Sequence, residues 1–514
     1  MMINTNKERL PYIVFYTLWI VLFYIPMAMG ATDFTTVNGR QGVCDTLTGR
    51  VLVAIADESE AADMPATIEE NGRIWAVTTT TLPIVSLDHG NVVSDTFQPG
   101  SMRLIHGDGT AEEYHTLLRY RGASSLIYDK KNYAVKLTDA NGEDMDASLL
   151  GMRSDNSWIL DAMAADMARM RNRVSTDLWL ALSTRPYYAN LEPSMVNGTH
   201  GEFVEVTVNG AYWGIYCLTE KVDRKQLKAK KYQGSTVKGV LYKAIAHDSL
   251  REITEVPKDS SAKWQGWEFQ YPDPSKGEPP TWQPLYSLAE LRSQPEGSKE
   301  VERTLETRVD LPVWIDYCLL MDLMHATDNA KKNMFVYFRD ITASDVRACI
   351  CPWDMDATWG RTWRRIKEGP ETNCNISNGV NFHMYTTLPD GFYRQCQRWA
   401  ELRDAGMTAE YILAIFDRYF DLFERSGAAG RETERWNGIN DVTIDFDTEK
   451  DYIHDWVPRR IVYLDTDYGY HKTQGFQDIN SENHESEATY GIDGRKTSNS
   501  TRGIVIKNGR KILR

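Results

Sequence analysis

Between residues 82 and 218, short stretches alternate apolar with polar residues, a period typical of β-strands that are buried on one face. The pattern predicts strands at residues 82–87, 102–105, 116–121, 130–137, 203–208 and 212–218. The last two flank Asn209-Gly210, and an Asn-Gly pair between alternating segments predicts a tight β-hairpin.

Residues 158–182 carry apolar side chains at helical intervals and predict one or two helices that end before Pro186. Beyond residue 285 the helical period dominates. It predicts helices at residues 285–291, 299–305, 311–324, 408–425 and 451–466. A strand-rich first part followed by a mainly helical second part predicts an α+β fold.

The N-terminus has the pattern of a secretion signal. Lys7 and Arg9 precede an apolar run over residues 10–29, and Ala28-Met29-Gly30 supplies small residues at a cleavage site. We therefore predict a signal peptide at residues 1–30 and no stable membrane span after its removal. An uncleaved helix that anchors the protein is the alternative, because the run approaches the length of a span.

Composition narrows the class of protein. With 514 residues, of which 42% are hydrophobic, the chain is long enough for two or three domains with sizeable cores. A formal net charge of -14 disfavours a general binder of nucleic acid. The seven cysteines include no CxxC pair of the metal-binding type, and an odd count in a chain of this length argues against a disulfide framework.

The candidate chemistry lies between residues 325 and 360. Asp328 and Asn333 have the interval of the Asp-x-x-x-x-Asn catalytic loop of protein kinases, although the same residues are common turn formers. Asp354 and Asp356 follow an apolar run at residues 346–350, which predicts a buried strand with carboxylates at its end. Carboxylate and amide oxygens suit Mg²⁺, so the pattern favours phosphoryl transfer.

Four motifs, in the same order along residues 82–465, resemble those of the CotH family, kinase-like proteins named for a bacterial spore-coat component. They are Arg121-Gly-Ala-Ser-Ser125 with Lys130-Lys131, Arg171-Asn172, Asn209 to Tyr216 with Leu218-Thr-Glu220, and Asp328-Asn329 with Lys332-Asn333 and Pro352-Trp-Asp-Met-Asp356 to Gly360. The resemblance implies a two-lobed atypical protein-kinase-like fold, with a β-rich N-lobe and a mainly helical C-lobe. A five-stranded sheet with one helix is the small lobe expected of such a fold.

The resemblance also implies an activity. A kinase of this kind binds ATP with Mg²⁺ (or Mn²⁺) and phosphorylates Ser or Thr of a protein substrate, here one on the surface or in the export pathway. Asp328 would act on the acceptor hydroxyl as base or orienting group. Asn333 and Asp354 would hold the metal, and Asp356 would be a further ligand or a neighbour of one.

Four residues are candidates for nucleotide binding by the same resemblance. Lys136 ends a Tyr-Ala-Val-Lys strand similar to the kinase Val-Ala-Ile-Lys, and Lys131 is its rival for the phosphates. Arg121 would clamp phosphate beside the Gly-Ala-Ser-Ser backbone. Glu220 would contact the nucleotide sugar or form a structural ion pair. Arg171 and Asn172 are interpreted as packing and bracing residues.

Some features depart from ordinary kinases, since the chain has no GxGxxG loop, no HRD triplet and no DFG triplet. The expected organisation is an N-terminal β extension at residues 31–81, an N-lobe at 82–224 and a C-lobe at 225–469. Residues 470–514 would be a linker and a short β tail that resembles the sorting segments of the type IX secretion route. The protein is therefore expected at the cell surface or outside the cell.

Two other functions are compatible with parts of the sequence. A catalytically inactive surface or adhesion protein could keep the same fold and the same export signals. A metal-dependent hydrolase is disfavoured, because such sites usually recruit histidines and none of the ten adjoins Asp354 or Asp356.

Overall fold

The computed structural model describes residues 32–246, 257–295, 297–373 and 388–471, together with the backbone of four short strands in the tail. The predicted signal peptide lies outside these residues. They form a mixed α/β structure, as the pattern predicts, and divide into two compact units after Tyr470. Among the described helices, none is long and apolar enough to cross a membrane.

The first unit begins with a small sheet in the order β1-β2-β3-β5-β4, in which only the β3–β5 pair is parallel. Its strands are β1 (Phe34–Val37), β2 (Arg40–Asp45), β3 (Arg50–Ala54), β4 (Thr67–Glu70) and β5 (Arg73–Thr80). One face packs on the following barrel through Val43, Leu52, Ile84 and Tyr212.

Seven strands then close into a barrel in the order β12-β14-β13-β6-β7-β8-β9. They are β6 (Ile84–His89), β7 (Gln98–Ile105), β8 (Ala111–Arg121), β9 (Asn132–Thr138), β12 (Ser157–Asp161), β13 (Gly201–Val208) and β14 (Ala211–Thr219), while β10 (Ala147–Ser148) and β11 (Ser154–Asp155) form a short ribbon. Inward side chains such as Leu118, Tyr133, Trp158 and Tyr216 are buried together, so a packed core fills the barrel.

The predicted Asn-Gly hairpin is confirmed as the turn between β13 and β14. Asn209 and Gly210 both have positive φ, 51° and 72°, as a type I′ turn requires.

The rest of the first unit combines a second sheet with helices. The sheet has the order β16-β17-β15-β18-β19, with β15 (Val240–Ala244), β16 (Lys263–Trp264), β17 (Trp267–Tyr271), β18 (Met334–Phe338) and β19 (Cys349–Pro352). The helices are α1 (Arg171–Leu182), α2 (Gln283–Arg292), α3 (Lys299–Arg308), α4 (Leu311–Leu323), α5 (Gly391–Asp404), α6 (Ala409–Arg425), α7 (Ala428–Trp436) and α8 (Phe446–Asp467). Every residue of β18 is buried, because the strand is central and both of its faces are covered.

The predicted helices beyond residue 285 are confirmed within a few residues at their ends. In α6, Thr408 caps the N-terminus by accepting from Tyr411 N, and Ile412, Phe416, Phe420 and Phe423 form the buried face at helical spacing.

The interpretation of residues 158–182 as helical throughout is wrong at its start. Residues 157–161 form strand β12, which pairs with β9 and β14 and closes the barrel, and the helix begins only at Arg171. Trp158-Ile-Leu160 is a short apolar run whose period cannot distinguish strand from buried helix, so its barrel partners decide. With this strand the first part holds a closed barrel of seven strands, where the resemblance predicts a five-stranded sheet with one helix.

In the second unit, the described backbone forms an antiparallel sheet in the order β21-β20-β22-β23. Its strands are β20 (Thr489–Gly491), β21 (Lys496–Thr497), β22 (Ile504–Lys507) and β23 (Arg510–Leu513).

Candidate active site

A cleft of about 830 Å³ lies between the barrel and the second sheet. The end of β8 contributes Arg121, and the end of β12 contributes Asp161. Helix α1 adds Asn172, strand β15 adds Lys243, and two loops beside β18 and β19 add the predicted acidic and amide groups. The predicted site residues that line the cleft are Arg121, Asp328, Asn333, Asp354 and Asp356.

Asp328 and Asn333 are joined directly. The 3₁₀ turn Thr327–Ala330 places Asp328 so that Asn333 Nδ2 donates to its Oδ2 at 2.9 Å. Lys332 Nζ lies 3.0 Å from the same oxygen. The carboxylate is thus oriented by an amide and a cation, and all three side chains line the cleft.

Asn329 ties this loop to the acidic turn after β19. Its Nδ2 donates to the carbonyl oxygens of Asn333 at 2.9 Å and of Trp353 at 2.8 Å, and Trp353 N donates to the Asn333 carbonyl at 2.9 Å. Tyr317 OH from α4 holds the Asn329 carbonyl at 2.8 Å. These bonds bring two loops that are distant in sequence into one fixed arrangement.

Both candidate metal ligands have unusual backbone conformations. Asn333 has φ of 55° and Asp354 has φ of 58°, in the left-handed region that side chains other than Gly seldom adopt. Asn and Asp tolerate this region better than other residues, since their short polar groups bond locally. A left-handed residue at the end of each strand turns its side chain, and such strain often marks functional sites.

The acidic turn is electrostatically unfavourable on its own. Burial raises the pKa of Asp356 well above its usual range, and the neighbouring Asp354, Asp161 and Asp328 carboxylates add to the effect. Asp354 is open to the cleft but surrounded by its walls, and this desolvation raises its pKa as well. Arg121 and Lys243 oppose that rise, so the cleft combines clustered acids with two nearby cations.

Arg121 and Lys243 share one aromatic neighbour. The Arg121 guanidinium lies 5.5 Å from the Trp353 ring and Lys243 Nζ lies 5.8 Å from it. Burial lowers the pKa of both groups, while the Asp354 carboxylate works against that shift. Two cations held near an acidic turn are suited to phosphate groups that bridge them to a metal.

The other predicted nucleotide-binding residues do not line the cleft. Lys131 Nζ donates to the Leu126 carbonyl at 2.7 Å, and Lys136 Nζ lies 4.7 Å from the Phe97 ring. Glu220 is buried and accepts from Arg153 N, His200 N and Gln226 Nε2, which places it in a structural network. Burial alone would raise its pKa, yet the bonds from His200 and Arg153 hold it below the usual value.

The twin lysines of the first motif have structural contacts. Lys130 is buried and pairs with Glu432 Oε1 at 2.7 Å, and Arg169 Nε binds the same oxygen at 2.7 Å. Glu432 Oε2 also accepts from Ile215 N at 2.8 Å, in the hairpin that carries Gly214. Arg171 is buried between Asp166 and Glu449, as its interpretation as a bracing residue predicts.

Sequence reasoning missed Asp161, Asn172 and Lys243. Asp161 follows the apolar run that was taken for helix, so its position at a strand end was not visible. Asn172 belongs to the Arg-Asn motif but was assigned to packing with its neighbour. Lys243 lies in a segment with a weak strand pattern and no motif. The apolar run that ends at Asp161 and the Arg-Asn motif at Asn172 are the signals that could have pointed to the cleft.

The described residues contain no group of three or more His, Cys, Asp or Glu side chains arranged to hold a metal ion alone. Mg²⁺ bound with a nucleotide usually takes only one or two protein carboxylates and completes its shell with phosphate and water oxygens. Asp354 and Asn333 supply a carboxylate and an amide oxygen, and the repulsion among the acids favours a cation. The residues present therefore fit a metal–nucleotide complex rather than a free metal centre.

A family model described as CotH kinase protein matches residues 118–464, more than half of the chain. No curated protein matches the chain.

Proposed function

Because the chain belongs to the CotH kinase family, we propose that it is an exported protein kinase that uses ATP to phosphorylate Ser or Thr of secreted or surface proteins. In this proposal the barrel serves as the N-lobe and the second sheet with its helices as the C-lobe. The signal peptide at residues 1–30 and the tail direct the protein to the surface.

One observation carries the proposal. Asn329 fixes the Asp328–Asn333 loop against the turn of Asp354, so a base, an amide and carboxylates open into the same cleft as two cations. Phosphoryl transfer asks for such positioning and charge neutralisation, and for little covalent chemistry from the protein.

Each residue then has a role. Asp328, held by Asn333 and Lys332, accepts the proton of the acceptor hydroxyl as its oxygen bonds to the γ-phosphorus. The bond from that phosphorus to the β–γ bridging oxygen breaks, and ADP leaves. Arg121 and Lys243 hold the phosphates, and Asn333 with Asp354 would hold Mg²⁺, which would neutralise phosphate charge. Asp356 would be a further ligand of the metal or would orient one of its ligands.

Labelled ATP tests the proposal. The mature protein with Mg²⁺ or Mn²⁺ should incorporate phosphate into itself or a general acceptor protein. Asp328→Asn should lower the rate about 10²–10⁴-fold, the usual cost of losing a positioned base. Asp451→Asn, at an exposed position of α8, is the matched control. Equal rates for Asp328→Asn and wild type would refute the assignment, and failure to bind ATP would favour the inactive surface protein.

A further inference from the structure

The segment that follows the acidic turn forms a small rigid hairpin at residues 361–367. Thr362 N donates to the Ile366 carbonyl at 3.0 Å, and Arg365 N donates to the Thr362 carbonyl at 2.7 Å. Thr362 Oγ1 accepts from Arg364 N at 3.2 Å and from Ile366 N at 3.1 Å. The backbone groups at the hairpin tip are thus hydrogen-bonded within the hairpin, which holds the tip in one conformation.

Two anchors fix this hairpin to the body of the protein. Arg361 pairs with the Glu449 carboxylate, which also binds Arg171 at 2.7 Å. On the barrel side, Arg365 Nη1 donates to Tyr128 OH at 2.7 Å. The hairpin is therefore attached to α8 and to the segment after β8, beside the cleft.

The anchored hairpin presents an apolar and basic surface. Trp363 is 52% exposed and Ile366 is 59% exposed, and Ile127 on the facing barrel segment is 73% exposed. Trp363, Arg364, Arg365 and Ile127 line the cleft that holds Asp328 and Asp354. In the described part of the chain, neither Arg364 nor Arg365 has an acidic partner.

Large apolar side chains left exposed on a fixed hairpin indicate an interaction site. The guanidinium groups of Arg364 and Arg365 have no acidic partner among the described residues, so they favour a partner segment with acidic groups and disfavour a basic one. The protein as a whole carries a charge of -14, so an acidic partner gains little elsewhere on the surface.

We propose that the surface of Ile127, Trp363, Arg364, Arg365 and Ile366 docks the acceptor polypeptide, and that the preferred segment is acidic with a large apolar residue beside its acids. The inference rests on the proposed function and names its substrate class. Trp363 and Arg365 line the same cleft as Asp356 and Asp328, so a polypeptide held on this surface enters the cleft where its hydroxyl is to react.

Peptide binding tests the inference without phosphoryl transfer. Three short labelled peptides share a central Ser and Leu and differ in their flanking residues, which are Asp and Glu, Asn and Gln, or Lys and Arg. Fluorescence anisotropy compares their binding to the mature protein. The acidic peptide should bind about tenfold more tightly than the neutral one, the scale of one or two charge-assisted bonds, and less so at high salt. Arg364→Glu should remove that preference, and Trp363→Ala should weaken binding of the acidic and neutral peptides alike.

Arg425→Glu, which changes an exposed arginine of α6, is the matched control and should leave the affinity unchanged. Equal binding of acidic and basic peptides, or no effect of Arg364→Glu, would overturn the inference. Displacement of the peptide by ATP with Mg²⁺ would also overturn it, because the surface would then belong to the nucleotide. If the acidic peptide binds as expected while labelled ATP gives no transfer, the proposed kinase activity fails and the docking surface stands.

Discussion

The side-chain amide of Asn172 donates to Asp161 Oδ2 at 2.9 Å, and the same side chain accepts from Met355 N at 3.0 Å. One residue at the start of α1 thus joins the end of barrel strand β12 to the acidic turn after β19. The backbone between Asp354 and Asp356 is held in place from the barrel side by this amide.

Asn172→Ala should therefore loosen the acidic turn. We expect the free energy of unfolding to fall by about 1–2 kcal/mol, because Met355 N and Asp161 each lose a partner. The affinity for ATP with Mg²⁺ should fall as well. Urea unfolding and nucleotide-dependent thermal shifts measure the two effects, with Asn141→Ala in an exposed loop as the control. Unchanged nucleotide affinity would show that the turn does not depend on Asn172.

A second prediction distinguishes Lys243 from Lys131 as the lysine that binds the phosphates of ATP. Lys243→Met should raise the dissociation constant for ATP with Mg²⁺ about tenfold or more, because a charge-assisted phosphate contact is lost. Lys131→Met should leave this constant unchanged, since Lys131 Nζ is bound to the Leu126 carbonyl. Isothermal titration of both variants decides between them, and a larger effect at Lys131 would restore the motif lysine as the phosphate ligand.

A third prediction concerns pH. The folded protein raises the pKa of Asp356 above its unfolded value, so the native state binds more protons than the unfolded state between these two values. The contribution of this group to stability is therefore lost as pH rises from the ordinary carboxyl range through the raised pKa. Asp356→Asn should remove that loss and stabilise the metal-free protein by on the order of 1 kcal/mol at about pH 8.

Urea unfolding across this pH range provides the measurement. Added Mg²⁺ with nucleotide should reduce the difference between wild type and Asp356→Asn, because a bound cation offsets the repulsion. Asp451→Asn should show no such pH dependence. A variant that is less stable than wild type at high pH would mean that Asp356 has a favourable partner there.

A fourth prediction tests the buried network of Lys130, Arg169 and Glu432, which contacts the β13–β14 hairpin at Ile215. Gly214 has φ of 94°, and a Cβ added there would lie 2.0 Å from Glu432 Oε2. Gly214→Ala should therefore displace Glu432 from Lys130 and Arg169 and destabilise the protein by about 3 kcal/mol or more, as when a buried ion pair is broken. Gly142→Ala is the matched control, with φ of 85° and open space around it, and should cost only about 1–2 kcal/mol. Equal losses in thermal or urea unfolding would show that the network is not coupled to Gly214.

The sequence predicted much of this fold because its local signals agree with the final structure. The Asn209-Gly210 turn, the strand before Asp354 and the helices beyond residue 285 all have periods or turn residues that act over a few positions. Strand β12 was missed because its three apolar residues acquire strand geometry only from β9 and β14. Barrel closure is a long-range property, and local periodicity does not encode it.

The residues of the candidate site also fall into two groups, those that local sequence patterns indicate and those that only the tertiary structure brings to the cleft. Asp328, Asn333, Asp354 and Asp356 could be proposed from the sequence because each lies beside an element with a strong pattern and within a motif, and all four line the cleft. Lys243 was missed since nothing nearby in sequence relates it to Asp354, and only the pairing of β15 with β18 brings it to the cleft. Lys131 is the rival of Lys136 for the phosphates because of its motif, but its Nζ donates to the Leu126 carbonyl, next to the buried Lys130.

The barrel is closed by strands that are far apart along the chain, and this affects how the protein can be made. Strand β6 pairs in parallel with β13, for example Ile84 with Glu205. Until residues 201–208 of β13 have been synthesised, one edge of β6 has no partner strand and can pair with other chains. A truncated product that stops before Gly201 should therefore aggregate, because the strand that covers this edge of β6 is missing.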